Sequence, residues 1–131
     1  MRLGLSDGAS VVVARQGAQV LSWQTSDGRE RLYLSEQAVF DASRPVRGGI
    51  PVCFPQFADL GPLPKHGFVR TRRWEVVTQR CGDDYALVTL ETGDDEATRA
   101  LWPHPFRIEL TVMLEADRLD LEVCVANTGE A

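Results

Sequence analysis

Residues 107–126 read RIELTVMLEADRLDLEVCVA, and their pattern decides the fold class. Apolar and polar side chains alternate up to position 115, and the alternation returns after the turn at 115–117. In the second half, Leu119, Leu121, Val123 and Val125 fall on one face. A period of two is typical of strands that bury one face. The stretch therefore predicts an antiparallel hairpin with one buried face.

Shorter apolar segments that precede this hairpin predict further strands. They lie at residues 11–15, 18–25, 30–35, 68–77 and 85–92. Only residues 94–102 have the pattern of a helix, because acids come early, Arg99 comes late and Pro103 follows. The sequence predicts a mostly β chain, and we expect residues 1–131 to form a single domain. An antiparallel β-sandwich is favoured over a closed barrel.

The composition excludes several classes of protein. The net charge of −5 argues against general nucleic-acid binding. The apolar runs are too short for a membrane span, and the first residues lack the apolar segment of a secretory signal. We therefore expect a cytoplasmic protein that binds neither nucleic acid nor a membrane.

The three cysteines, Cys53, Cys81 and Cys124, are odd in number and far apart, and they form no C-x-x-C pair. This spacing argues against a disulfide framework and against a zinc site. We expect each cysteine to be a small buried hydrophobic residue.

The last strand runs into Asn127-Thr128-Gly129, which is a turn signal, and a turn normally connects to another strand. An uncovered edge strand is an aggregation hazard. We therefore expect either that neighbouring strands come from elsewhere or that the chain forms a homodimer through open sheet edges.

Residues 44–73 differ from the rest of the chain. They carry five of the seven prolines and a net charge of +5, whereas all other residues together carry −10. The prolines forbid a helix, and the apolar side chains among them favour an ordered, partly buried loop. A long ordered loop in a compact domain is usually functional. A compact basic patch on an acidic protein indicates a small anionic ligand.

Two motifs in this segment allow a more specific interpretation. Residues 47–57 read RGGIPVCFPQF, and residues 65–74 read KHGFVRTRRW. Together they closely resemble the hexose-6-phosphate mutarotases, the glucose-6-phosphate 1-epimerase branch of the aldose 1-epimerase superfamily. The resemblance covers nearly the whole chain. It departs at Gln56, where the family commonly has an aromatic residue, and at Val69, where it commonly has alanine.

The resemblance implies a galactose-mutarotase-like supersandwich and a hexose 6-phosphate as substrate, with no metal or cofactor. Family members are considerably longer than this chain, and their catalytic His and Glu lie in the later portion. The resemblance therefore places the catalytic pair beyond Ala131 and leaves the substrate-binding half in these residues. We expect the isolated chain to be inactive as a mutarotase.

The residues predicted to bind the substrate are Arg47, Lys65, His66, Arg70 and Arg72. Arg47 and Arg70 are the first choices for the phosphate, because a guanidinium matches phosphate oxygens in a bidentate manner. Arg72 would share a strand face with Arg70, and Lys65 lies close in sequence. His66, which matches a binding histidine of the family, would hold sugar hydroxyls or the ring oxygen, or would instead be a structural residue of the Gly67 turn.

Three functions remain open from the sequence. The chain could be the substrate-binding part of a hexose-6-phosphate 1-epimerase. It could be a non-catalytic sugar-phosphate-binding or regulatory domain. It could also be a structural β domain whose basic loop binds a protein partner.

Overall fold

The computed structural model describes residues 1–34 and 47–130, which form two antiparallel β-sheets. The first sheet has the order β1-β2-β3, and its strands are Arg2–Gly4, Ser10–Ala14 and Gln19–Gln24. The second sheet has the order β4-β5-β6-β7, and its strands are Glu75–Cys81, Ala86–Gly93, Phe106–Glu115 and Arg118–Asn127. The helix α1, Glu96–Leu101, connects β5 to β6. The mostly β, antiparallel class is confirmed.

One hydrophobic core joins the two sheets and makes the arrangement a sandwich. Its fully buried members include Val11, Val13, Val20, Val88, Leu90, Ile108, Leu110 and Val112. Each such side chain contributes about 1.5–3 kcal/mol when it leaves water. Trp74 is also fully buried, and its indole N–H donates to the carbonyl oxygen of Val69 at 3.0 Å.

The predicted hairpin is present as β6 and β7, paired from Phe106 opposite Asn127 to Glu115 opposite Arg118. The two strands differ in burial. Leu110 on β6 is 1% exposed, whereas Val123, which lies directly opposite it on β7, is 52% exposed. The expectation of a buried face is therefore right for β6 and wrong for the far half of β7. Among the described residues, the first sheet does not extend over that part of β7.

The predicted helix at 94–102 is confirmed as α1, and a capping box begins it. The Asp95 carboxylate accepts a hydrogen bond from the Thr98 backbone N–H at 2.9 Å, and the Thr98 hydroxyl accepts one from the Asp95 N–H at 2.9 Å. These two bonds satisfy donors that a helix start leaves unpaired.

Two strand predictions need correction. In the segment 68–77, Val69–Thr71 is a 3-10 turn and the strand begins only at Glu75. The chain turns here because the Arg72 N–H bonds back to the Val69 carbonyl oxygen at 3.3 Å.

In the segment 30–35, Glu30 and Leu34 make isolated bridges in place of a continuous strand, and Ser35 lies outside the described residues. The Glu30 carboxylate accepts from the backbone N–H groups of Trp23, Arg31 and Leu32, which are donors that a regular ladder would use.

The prediction for the cysteines is wrong at two positions. Cys81 and Cys124 are exposed, and only Cys53 is partly buried. Cys81 ends the edge strand β4, and Cys124 lies on β7, which is mostly uncovered.

Within residues 1–34 and 47–130, no three or more His, Cys, Asp or Glu side chains cluster so that they could hold a metal ion. In the same residues, no helix has the length and apolar character needed to cross a membrane.

Candidate functional site

The segment predicted to bind a ligand, residues 44–73, is described from Arg47 onward, and residues 44–46 lie outside the described part of the chain. From Arg47 it passes along β3, forms a closed loop at 54–67 and ends in the 3-10 turn before β4.

The start of this segment is fixed against β3. The Gln19 side-chain amide donates to the carbonyl oxygen of Gly48 at 2.5 Å. Gly49 has a positive φ of 65°, and a Cβ there would lie 2.0 Å from the carbonyl oxygen of Val20, so this position requires glycine. Arg47 is exposed and therefore extends from an anchored backbone.

Residues 54–67 form a closed loop that packs on a cluster of aromatic rings. The Phe68 N–H donates to the carbonyl oxygen of Phe54 at 3.0 Å, which joins the two ends of the loop. The Phe54 ring lies 5.6 Å from that of Trp102 and 5.1 Å from that of Phe106. Phe54 therefore anchors the loop to the core through its contacts with Trp102 and Phe106.

His66 is held in one tautomer by the loop backbone. Its Nδ1 accepts a hydrogen bond from the Ala58 N–H at 2.9 Å. The backbone N–H of His66 donates to the Ala58 carbonyl oxygen at 3.0 Å. Because Nδ1 accepts, Nε2 carries the proton and is a donor. The Phe57 ring, which is 63% exposed, lies 5.0 Å from the imidazole. A donor beside an exposed apolar ring suits a sugar, which offers hydroxyl oxygens and C–H faces.

Arg70 lies in the 3-10 turn and not on a strand. Its guanidinium donates to the carbonyl oxygen of Lys65 at 3.1 Å, which keeps it at the end of the loop beside the exposed Lys65. The expected shared strand face of Arg70 and Arg72 is therefore wrong, because the backbone between them turns.

Arg72 makes a different set of contacts. Its guanidinium pairs with the Asp95 carboxylate at 2.6 Å and contacts the carbonyl oxygen of Gly93 at 3.4 Å. The hydrogen bond from the Arg72 guanidinium lowers the pKa of Asp95 below its ordinary value, and the bond from the Thr98 N–H adds to the effect. Arg72 thus joins the end of the segment to the start of α1. Its role in ligand binding stays a prediction.

The β2–β3 turn, residues 15–18, and the first residue of β3 contact the backbone at or next to both candidate phosphate-binding arginines. In the turn, Gly17 packs so closely on Arg70 that a Cβ would lie 2.4 Å from the Arg70 carbonyl oxygen. Gln19, which begins β3, binds the carbonyl oxygen of Gly48, the residue after Arg47. Arg70 and the residue next to Arg47 therefore both contact the stretch 17–19, although they are far apart in sequence.

Sequence reasoning missed two glutamines that build the segment. Gln19 is 1% exposed and Gln56 is 9% exposed, and both use their side-chain amides to bind loop carbonyl oxygens. Gln19 carries no periodic signal within its strand. Gln56 was marked only by its departure from the aromatic residue that is common in the resembling family.

A cavity of about 620 Å³ borders the aromatic rings that hold the loop. Its lining includes Phe54, Trp102, His104, Phe106, Val125 and Asn127. The loop anchor and the uncovered end of β7 therefore border the same space.

Solved structures with this arrangement define the class of protein. A Salmonella typhimurium protein described as a "putative mutarotase" superposes with a TM-score of 0.84 at 32% identity, over 90% of this chain and 40% of that one. The Slr1438 protein from Synechocystis gives 0.77 at 33% identity, over 93% and 45%. A galactose mutarotase related enzyme from Lactobacillus acidophilus shares the fold, with a TM-score of 0.73 at 23% identity, over 97% and 43%. The fold is that of the galactose-mutarotase-like β-sandwiches.

The family follows from the sequence match. Residues 1–131 match the model of the aldose 1-epimerase family, and the chain belongs to that family. It is 39% identical to a Cenchrus ciliaris protein described as "Putative glucose-6-phosphate 1-epimerase", over 86% of this chain and 36% of that protein. A Salmonella typhimurium protein with the same description is 38% identical over 72% and 33%. The chain thus spans about a third of the length of these relatives.

Proposed function

We propose that this chain carries the substrate-binding part of a hexose-6-phosphate 1-epimerase, an isomerase that interconverts the α and β anomers of glucose 6-phosphate or a similar sugar phosphate. The relatives described as glucose-6-phosphate 1-epimerases support the substrate class. In this proposal, Arg47 and Arg70 bind the phosphate, with Lys65 close by, and His66 holds a sugar oxygen.

The observation that carries the proposal is that Arg70 and Gly48, the residue after Arg47, contact Gly17 and Gln19, which lie two positions apart where β2 connects to β3. A phosphate has several acceptor oxygens, and two guanidinium groups can each use two donors on it. Fixed backbones reduce the conformational entropy that binding has to overcome. His66 extends the same site, because its Nε2–H lies next to an exposed aromatic ring.

The proposed reaction is a proton exchange at the hemiacetal. A base removes the proton of the anomeric hydroxyl while an acid protonates the ring oxygen, and the C1–O5 bond breaks to give the open aldehyde. Rotation about C1–C2 and the reverse steps close the ring with the opposite configuration. The proposal assigns the acid and base to a His and a Glu in the portion that longer family members carry, and it gives this chain the binding contacts.

The experiment is an NMR titration of the ¹⁵N-labelled chain with glucose 6-phosphate, run beside polarimetry of freshly dissolved α-glucose 6-phosphate. We expect backbone signals from residues 47–72 to shift and mutarotation to proceed at its uncatalysed rate. An absence of shifts would contradict the binding proposal. An acceleration by the chain that His66→Ala removes would contradict the assignment of the acid and base.

We also propose that two chains pair through β7. In the described residues, β7 pairs with no strand except β6, so no strand covers its other edge from Arg118 to Ala126, and Val123 and Val125 are exposed beside it. Val123→Lys should convert a dimer into a monomer in sedimentation velocity, with Val77→Lys on β4 as the control. A monomeric wild-type chain would contradict the pairing.

A further inference from the structure

We propose that Gln56 is a positioning residue, which holds His66 so that Nε2–H faces the ligand. The contact with a sugar oxygen rests on the function proposed above, whereas the positioning itself is a property of the free chain.

The Gln56 amide fills the inside of the loop. Its Nε2 donates to the carbonyl oxygens of Ala58 at 2.7 Å and Leu63 at 3.1 Å, with a longer contact of 3.4 Å to that of Pro64. Its Oε1 accepts from the Leu63 N–H at 2.9 Å. The side chain therefore uses both of its donors and its acceptor. It joins the two arms of the loop, the first of which contains Ala58 and the second Leu63.

The space for this amide is made by Gly61. A Cβ at Gly61 would lie 2.6 Å from the Gln56 Oε1, so a larger residue there would displace the amide. Gln56 is 9% exposed, and burial of an amide is favourable only when its hydrogen bonds are made.

Ala58 transmits the effect to the imidazole. The Ala58 carbonyl oxygen accepts from Gln56 and from the His66 backbone, and the Ala58 N–H donates to Nδ1 of His66. Ala58 and His66 have φ values of 50° and 65°, a region that residues other than glycine rarely adopt. Such a conformation persists only where the surroundings enforce it, and the Gln56 bonds bind both arms at this point.

The consequence is a fixed hydrogen-bonding role for His66. While Ala58 donates to Nδ1, that nitrogen is an acceptor and Nε2–H is the donor that the imidazole presents. Protonation of Nδ1 would break the Ala58 bond. In the proposed site this donor meets a sugar hydroxyl or ring oxygen, and the arginines bind the phosphate.

The test measures the N–H to Nδ1 bond directly. In the ¹⁵N-labelled chain at alkaline pH, we expect a through-hydrogen-bond coupling between the Ala58 nitrogen and Nδ1 of His66. His104 is the only other histidine and serves as the internal reference. Gln56→Leu should abolish the coupling while the signals of β5 and β6 stay in place, and Gln79→Leu on the exposed surface should retain it.

Several outcomes would overturn the proposal. They are an absent coupling in the wild-type chain, a coupling that survives Gln56→Leu, and a loss of the whole β5–β6 spectrum in both Gln56→Leu and the isosteric Gln56→Glu. The last would show that Gln56 supports the entire fold and not this histidine.

A second readout separates the inference from the proposed function. Gln56→Leu should weaken glucose and glucose 6-phosphate binding by the same factor, about tenfold for one hydrogen bond. A wild-type chain that shows the coupling but binds neither sugar would contradict the proposed function and leave the positioning role intact. Unequal losses for the two sugars would contradict the assignment of His66 to the sugar.

Discussion

The second sheet and the loop 54–67 are built in opposite ways. In the sheet, β5 and β6 are held by regular backbone pairing and by a row of interchangeable apolar side chains. In the loop, order depends on a few single contacts, such as the Gln56 amide, the glycine at position 67 and the imidazole of His66. The sheet distributes its stability over many residues, whereas the loop concentrates its geometry in a few.

This difference predicts that mutations in the two regions change different properties of the chain. A change in the sheet should lower the free energy of unfolding in proportion to the apolar area lost, without changing ligand contacts. A change in the loop should alter one specific distance, and its cost depends on whether the backbone can move.

The largest expected effect is at the closure of the loop. A Cβ at Gly67 would lie 2.0 Å from the Phe54 carbonyl oxygen, so Gly67→Ala should separate the two loop ends. We expect a loss of about 4 kcal/mol in chemical denaturation, the range of severe backbone conflicts.

Gly28→Ala is the control for Gly67→Ala. It also has a positive φ, of 82°, but nothing lies within 4 Å of its Cβ, so it should cost about 1 kcal/mol. Equal losses for the two variants would show that backbone conformation, and not loop closure, explains the effect.

The next largest effect compares a buried side chain on β6 with the exposed side chain opposite it on β7. Leu110→Ala should cost about 3 kcal/mol, because Leu110 is 1% exposed and leaves a cavity in the core. Val123→Ala, directly opposite on β7, should cost less than about 1 kcal/mol, because the side chain is 52% exposed. Denaturant midpoints measure both. A large loss at Val123 would show that this face is covered in solution.

A last, small effect on stability lies where the loop segment meets the start of α1. Asp95→Ala removes both the helix cap and the partner of Arg72, and we expect a loss of about 1 kcal/mol near neutral pH. Because the folded-state pKa of Asp95 is lowered, its stabilisation is complete above the ordinary value of 3.8 and is lost as the pH falls below it.

Thermal unfolding at several pH values checks this dependence. The difference between wild type and Asp95→Ala should shrink below pH 3.8. A difference that is constant from neutral to acid pH would mean that the charge of Asp95 contributes nothing.

The sequence predicted most of the sheet and little of the loop geometry. Alternation located β6 and β7 because a period of two is imposed by the strand itself. The alternation does not predict that β7 is largely exposed, since burial depends on what packs against the strand.

For the loop, the prolines and the apolar side chains indicated order, but the contacts of Gln56 and Gln19 depend on carbonyl groups that only the folded backbone brings together. The turn at Val69–Thr71 was mistaken for strand, because its apolar and charged residues alternate by chance. For the same reason, Arg72 was expected to share a strand face with Arg70, but the backbone turns between them and Arg72 pairs with Asp95.

The central claim is that Arg47 and Arg70 act together on a phosphate. Its most direct test is calorimetric titration of glucose 6-phosphate and of glucose into the wild-type chain and into Arg47→Ala, Arg70→Ala and the exposed Arg73→Ala control. Each of the first two variants should weaken glucose 6-phosphate binding by about tenfold to a hundredfold and leave glucose unchanged, as expected for charge-assisted hydrogen bonds. Equal losses for both sugars, or an Arg73 variant as weak as the other two, would contradict the claim.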